Sequence, residues 1–180
     1  MFSVVQAVLL NPPPFRTPDR IAVFGDRSTS IDTEFVSHIT FDDWKSRNTA
    51  FVELAAFRYW ETVNLEDAAS EPESISLVTA SADFFDVLGI RPLLGRTFKE
   101  ERNRVGGSEA VISYELWARR FHRNPAVLGT SIRIRGAQAA IVGVMPPSSL
   151  KLSIGWGDAW TCLYRYNIAE QRATRTAPDA

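Results

Sequence analysis

Cysteine, histidine and any imbalance of charge are what this sequence has least of. Its 180 residues hold one cysteine, Cys162, and two histidines, His38 and His122. A lone cysteine excludes an intramolecular disulfide and any cysteine-rich zinc site, and neither histidine stands in a His-x-x-x-His pattern. Lys plus Arg number 20 against 21 Asp plus Glu, a formal net charge of -1. With no surplus of cations to neutralise phosphates, general binding to nucleic acid or to anionic membranes is disfavoured. The glycine patterns of dinucleotide and P-loop sites are missing, as is the Gly-x-Ser-x-Gly nucleophile elbow. There is no internal repeat, and no low-complexity segment beyond Pro12-Pro13-Pro14. What remains is 45% hydrophobic and 23% charged, enough to bury a core in one domain or two small ones, of α+β or α/β class.

The N-terminal run Phe2 to Leu10 is apolar except for Ser3 and Gln6, and Asn11 and the three prolines end it. A helix of about ten residues covers only ~15 Å, half of the ~30 Å hydrocarbon layer, so it cannot span a bilayer alone. It has no basic residue before it and no small-residue cleavage site after it, unlike a signal peptide. Two readings stand: a terminal helix packed on the domain, or the outer end of a membrane helix. If helical, it places Val4, Val5, Val8 and Leu9 on one side, a surface expected to make the isolated chain self-associate. At the other end, 165–180 carries Arg165, Arg172 and Arg175 with little periodic apolarity and is expected to fray.

Between the ends, Ile21 to Phe24 reads as a short strand and the polar 27–34 as a loop. Thr40 reads as the cap of a helix bearing Phe41 and Trp44, with Asp42 and Asp43 in its first turn. Phe51 to Val63 mixes helix formers with aromatic and β-branched residues, and a strand from Ala55 to Val63 is the preferred reading. Ser74 to Ala80 alternates as a half-buried strand. Ser81 and Asp83 offer capping groups for a short helix carrying Phe84, Phe85, Val87 and Leu88, which Gly89 stops. Gly95 is expected to hold a turn at positive φ. Gly106-Gly107 closes a charged loop before a buried strand at Ala110 to Ile112. Ser113 then caps a helix whose Leu116, Trp117 and Phe121 share one face, and Asn124-Pro125 stops it. Ser131 to Arg135 and Ala139 to Val144 form a hairpin about Gly136.

Residues with chemical potential are few, and each has a plainer reading. The pairs Asp42-Asp43, Glu66-Asp67 and Glu100-Glu101 are sequence neighbours in polar stretches, and solvated faces account for them. Cys162, between Trp160 and Leu163, reads as a buried inert thiol. The five Trp and eleven Phe fall mostly at apolar-face positions. No catalytic, cofactor-binding or metal-binding residue is assigned.

Six segments taken in order carry a resemblance. They are Phe2 to Leu10 with its prolines; Phe41-Asp42-Asp43-Trp44; Ser81 to Pro92 followed by Leu94-Gly95-Arg96-Thr97-Phe98; Val111-Ile112-Ser113-Tyr114 with Leu116-Trp117; Asn124 to Gly129; and Ile141 to Pro147. Together they resemble the MacB-like periplasmic core domain of ABC transporter permeases in the FtsX-like permease family, of the kind common in acidobacterial permeases. The resemblance implies an α+β domain with a porter-like lobe and an inserted second lobe, truncated at the C-terminus because the family continues past the Asp158-Ala159-Trp160 stretch. It divides the chain into the outer end of a membrane helix at 1–14, an incomplete core domain at 15–164 and a disordered tail at 165–180. It also implies a non-catalytic domain on the periplasmic side of the cell inner membrane, coupling or handling substrate in ATP-driven export or lipoprotein-related transport. The implied partners are an ATP-binding subunit, other permease segments and the membrane, with no nucleic acid and no cofactor. A free-standing extracytoplasmic ligand- or protein-binding module is the alternative.

Overall fold

The computed structural model describes residues 21–23, 38–66, 71–99, 109–147 and 157–162. The expectations for 1–14, for the charged loop at 100–108 and for 165–180 lie outside these residues. In chain order the elements are α1 (His38–Arg47), β1 (Phe57–Glu66), β2 (Glu73–Ala80), α2 (Phe84–Leu88), β3 (Leu94–Gly95), β4 (Glu109–Ile112), α3 (Tyr114–Arg120), a 3₁₀ turn (Pro125–Val127), β5 (Ser131–Ile134), β6 (Ala137–Val144) and β7 (Ala159–Cys162). The α+β class implied by the resemblance is the class observed.

The seven strands among the described residues join one mixed sheet in the order β3-β6-β4-β7-β2-β1-β5. β5 pairs with β6 along the hairpin and also with the end of β1, through Leu65↔Ile134 and Glu66↔Arg133, so six strands close into a ring of pairings with β3 added on β6. Two pairings, β4 with β6 and β2 with β7, are parallel. Parallel strands need both faces covered, and the sequence meets that need: all four residues of β4 are buried.

Because successive side chains in a strand point to opposite faces, the central strands β2, β4 and β7 feed two cores. Ile75 and Leu77, Ala110 and Ile112, Ile132 and Ile134, and Ala139 and Ile141 fill the inside of the ring, which Leu116 and Trp117 of α3 cap. Val78 and Ala80, Val111, and Trp160 and Cys162 face outward onto α2, whose Phe84, Phe85 and Leu88 cover them together with Ile90 and Phe98. The aromatic rings there meet at tilted or edge-on angles, Phe85 with Phe98 at 5.5 Å and Phe85 with Trp160 at 5.7 Å between centroids, the arrangement that ring quadrupoles favour.

Local chemistry explains where several elements start and stop. Ser113 has extended backbone and its Oγ accepts from the Leu116 amide at 3.0 Å, starting α3 as its cap. Beyond α3, Asn124 caps the 3₁₀ turn through the Ala126 amide at 3.0 Å and accepts the Trp117 indole on its carbonyl at 2.9 Å. Gly89 closes α2 in the left-handed conformation at φ 67°. The hairpin turns on Arg135 and Gly136, both at positive φ (53° and 74°), the two-residue geometry whose twist matches the flanking strands.

Three sequence expectations are corrected. Residues 21–23 are not a strand; Ile21 instead packs on the outer core. Thr40 does not cap α1, because the helix begins at His38 and holds Thr40 within its first turn, leaving Asp42 and Asp43 beyond that turn. Asp83 stands at the start of α2 but makes no capping bond with its side chain. It forms an ion pair with Lys45 of α1 instead. The Ser81 hydroxyl is taken by the Ala56 amide at 3.0 Å, while the Ser81 amide donates to the Ala56 carbonyl at 2.8 Å. That exchange adds a rung to the β1–β2 ladder, so the long-range pairing wins over the local cap.

Candidate functional site: the charged braces of the sheet

Two buried charged side chains, Glu109 and Arg120, each anchor a brace of ion pairs. In the first, Glu109 opens β4 with its side chain only 7% exposed, a costly place for a carboxylate unless it is paired. Arg96, just after β3, supplies a two-pronged partner: Nη1 donates to Oε2 at 3.0 Å and Nη2 donates to Oε1. The Lys99 amide adds a third donor at 3.2 Å, and the bond to Glu109 holds the Arg96 guanidinium above its ordinary pKa. The brace thus ties the segment after β3 to the start of β4.

The second brace gathers α3, the beginning of β2 and the entry to β7. Arg119 donates from Nε to Glu73 Oε1 at 2.6 Å and from Nη2 to Asp158 Oδ1 at 2.9 Å. Arg120, whose side chain is 4% exposed, donates to Glu73 Oε2 at 3.2 Å and to the Glu71 carbonyl at 3.0 Å. The other oxygen of Asp158 accepts the Ser76 amide at 3.0 Å. Burial pulls the Glu73 carboxyl upward, yet the hydrogen bonds and charges of Arg119 and Arg120 together hold it below its ordinary pKa. Burial likewise opposes the Arg119 charge, and its bonds to Glu73 and Asp158 outweigh that and raise its pKa.

The depressed Glu73 pKa has a stability consequence with a definite sign. A carboxyl whose folded pKa lies below its unfolded value stabilises the fold above the unfolded pKa, and this contribution disappears as pH falls through the folded value. Urea unfolding midpoints are therefore expected to decline on acidification below the ordinary glutamate range, and Glu73→Gln is expected to flatten that decline. An identical acid profile in wild type and variant would count against the brace.

The acid pairs singled out from sequence do not come together with these groups. Asp42 and Asp43 lie exposed on α1, where Asp43 pairs with Arg47 one turn on at 2.9 Å. Glu66 faces Arg133 across the β1–β5 seam at 4.0 Å. Asp67, Glu100 and Glu101 lie outside the described residues. Cys162 is in no disulfide and is buried in the outer core with Trp160. His122 is exposed just past α3 at φ 49°. Among the described residues no three His, Cys, Asp or Glu side chains converge as a metal site. A carboxylate kept ionised by two guanidinium groups makes a poor proton donor near neutral pH, so the chemistry these clusters supply is mechanical: they fix strand ends relative to one another. Sequence reading missed both braces. Their one local trace is the pair Arg119-Arg120 at the end of α3, a placement that the helix dipole favours by itself.

Comparison with known proteins follows the fold. No curated protein matches this chain. Among solved structures, the periplasmic region of MacB from Actinobacillus actinomycetemcomitans is similar with a TM-score of 0.53 at 16% identity, over 84% of this chain and 78% of that one. The extracellular domain of YknZ, a noncanonic ABC-type transporter from Gram-positive bacteria, is similar with a TM-score of 0.51 at 17% identity. That match covers 68% of this chain and 59% of the YknZ domain, so the chain spans less than two thirds of that relative. At these identities the likeness is one of fold. A family model reaches further: the MacB-like periplasmic core domain matches residues 1–174. With nearly its whole length matched, and with the mixed sheet of such domains, this chain belongs to the MacB-like periplasmic core domain family.

Proposed function

We infer that the chain is the extracytoplasmic domain of an ABC transporter permease, held on the periplasmic side of the cell inner membrane, and that it handles substrate or relays ATP-driven movement in export or lipoprotein-related transport. The observation that carries this reading is the family match over residues 1–174. The two fold relatives add support, since one is named as part of an ABC-type transporter and the other as the periplasmic region of MacB. The build of the domain suits a relay. A sheet packed on both faces and braced at its strand ends moves as a unit, because close-packed interiors transmit displacement rather than absorb it. In this reading the domain performs no bond chemistry and binds no cofactor. Free energy comes from ATP on a separate cytoplasmic subunit, reached through other permease segments in the membrane. No helix among the described residues is long and apolar enough to cross a membrane. A net charge of -1 gives no pull toward nucleic acid.

The test is recovery of the tagged chain from cells that carry its native flanking genes. It is expected to sediment with membranes and, after mild detergent extraction, to bring down an ATP-binding subunit. Recovery as a freely soluble extracytoplasmic protein with a tightly held ligand and no ATPase would replace this reading with that of a free-standing binding module.

A further inference from the structure

The turn that follows α3 holds two ordinary residues in a costly conformation. His122 and Arg123, both exposed, sit at φ 49° and 58°, a region that glycine enters freely and that penalises any residue with a Cβ. Bonds within the turn fix it there. The Arg123 amide donates to the Trp117 carbonyl at 3.1 Å and the Asn124 amide to the Phe121 carbonyl at 2.9 Å, while the Trp117 indole donates to the Asn124 carbonyl at 2.9 Å. From this position the Arg123 guanidinium lies over the Tyr114 ring, 5.5 Å from its centroid. Tyr114 is itself set edge-on against Trp117 at 5.7 Å. Arg47, Arg96, Arg119, Arg120, Arg133 and Arg135 each pair with a carboxylate of this chain. Arg123 pairs with none among the described residues. A guanidinium held against an aromatic face keeps N–H donors free for the two oxygens of a carboxylate.

We propose that Arg123, oriented by Tyr114, is a docking point for a glutamate or aspartate side chain on an acidic segment of a partner protein. A carboxylate fits better than a phosphate because the turn offers no row of open amides to cradle one. The Arg123 and Asn124 amides bond within the turn, and the Ala126 amide is taken by Asn124 Oδ1 at 3.0 Å. Arg119 and Arg120 are committed to Glu73 and Asp158, so the end of α3 presents one open fork, matched to one carboxylate. The helix dipole accounts for a cation near this end, but not for the positive φ or for the ring beneath the guanidinium. Strain of this kind, held in place by surrounding bonds, is found where a side chain must be aimed. The docking point rests on this turn alone and stands or falls independently of the transporter reading.

Fluorescence anisotropy of a fluorescein-labelled hexaglutamate peptide, titrated with the full-length chain at low salt, tests it. Arg123→Gln is expected to weaken binding about fivefold or more. Arg123→Lys keeps the charge without the planar fork and should recover only part of that loss. Arg91→Gln serves as the control, since Arg91 is also exposed and has no carboxylate or ring partner among the described residues; it should leave binding unchanged. Urea midpoints equal to wild type for all three variants are expected, because both positions are exposed. In the ¹⁵N-labelled chain the peptide should shift the Arg123 Nε–H and Tyr114 resonances. Equal affinity of wild type and Arg123→Gln, full recovery by Arg123→Lys, or an equal loss in Arg91→Gln overturns the proposal. Inorganic phosphate and phosphatidylglycerol vesicles distinguish the other sources of negative charge: if either binds in an Arg123-dependent manner while the peptide does not, the acidic protein segment is overturned as the occupant.

Discussion

Gly95→Val is expected to lower the unfolding free energy by about 3 kcal/mol or more, from two separable causes. The first is torsional: Gly95 sits at φ +70°, which costs a residue with a Cβ roughly 1 to 2 kcal/mol and a β-branched one the upper part of that range. The second is steric. A Cβ at this position would lie 2.2 Å from the Val142 carbonyl oxygen and 2.9 Å from Leu128 Cδ2; the oxygen is backbone, accepting the Arg96 amide at 2.9 Å, and cannot turn away. Overpacking of this kind adds about 1 to 3 kcal/mol. Gly136 provides the control, since its φ is +74° with nothing within 4 Å of the added carbon. Gly136→Ala should therefore show the torsional cost alone, about 1 kcal/mol. Equal urea midpoints for Gly95→Val and wild type, or equal losses for Gly95→Val and Gly136→Ala, would refute the steric account.

Trp160→Ala is expected to cost about 3 to 5 kcal/mol, the range for emptying a buried aromatic site. Trp160 is among the largest fully buried side chains, and it stands on the strand that joins the two halves of the sheet. The void would be bounded by Phe85 and by Val78 and Val111, its partners on the two adjoining strands. These are fixed to the ladder or to α2, so the site collapses poorly. Trp160→Phe, which keeps a ring against Phe85, should recover a large part of the loss. Chemical denaturation of the three proteins measures both effects, with the slope in urea reporting whether the native state stays equally compact. A loss under 1 kcal/mol for Trp160→Ala would mean that β7 is not seated as described.

The sequence by itself determined the elements whose signals are local. Ser113 and the apolar face of Leu116 and Trp117 specified α3; Gly89 specified the end of α2; alternation specified β2 and the β5–β6 hairpin; and the turn at Gly95 required positive φ. Each involves residues a few positions apart, so neighbouring residues carry the whole physical cause. The ordered segments were also enough to place the chain in its family.

Tertiary structure alone decided the rest. β7 is four residues long, too short for periodicity to place it at the centre of a sheet, and its partners in β2 and β4 are brought to it by folding. Gly143 reads as an ordinary glycine in a strand, yet a Cβ there would meet the Arg96 carbonyl oxygen at 2.1 Å, a close approach set by β3 lying against β6. Ser81 and Asp83 have the chemistry of caps, and Ala56 and Lys45 claim them from other elements. The braces show the same limit: Arg119 lies 46 residues from Glu73 and 39 from Asp158. Whether a charge is solvated or locked to a partner depends on which strand ends the sheet gathers, and that order is settled by the joint packing of both cores, not by any short stretch of chain.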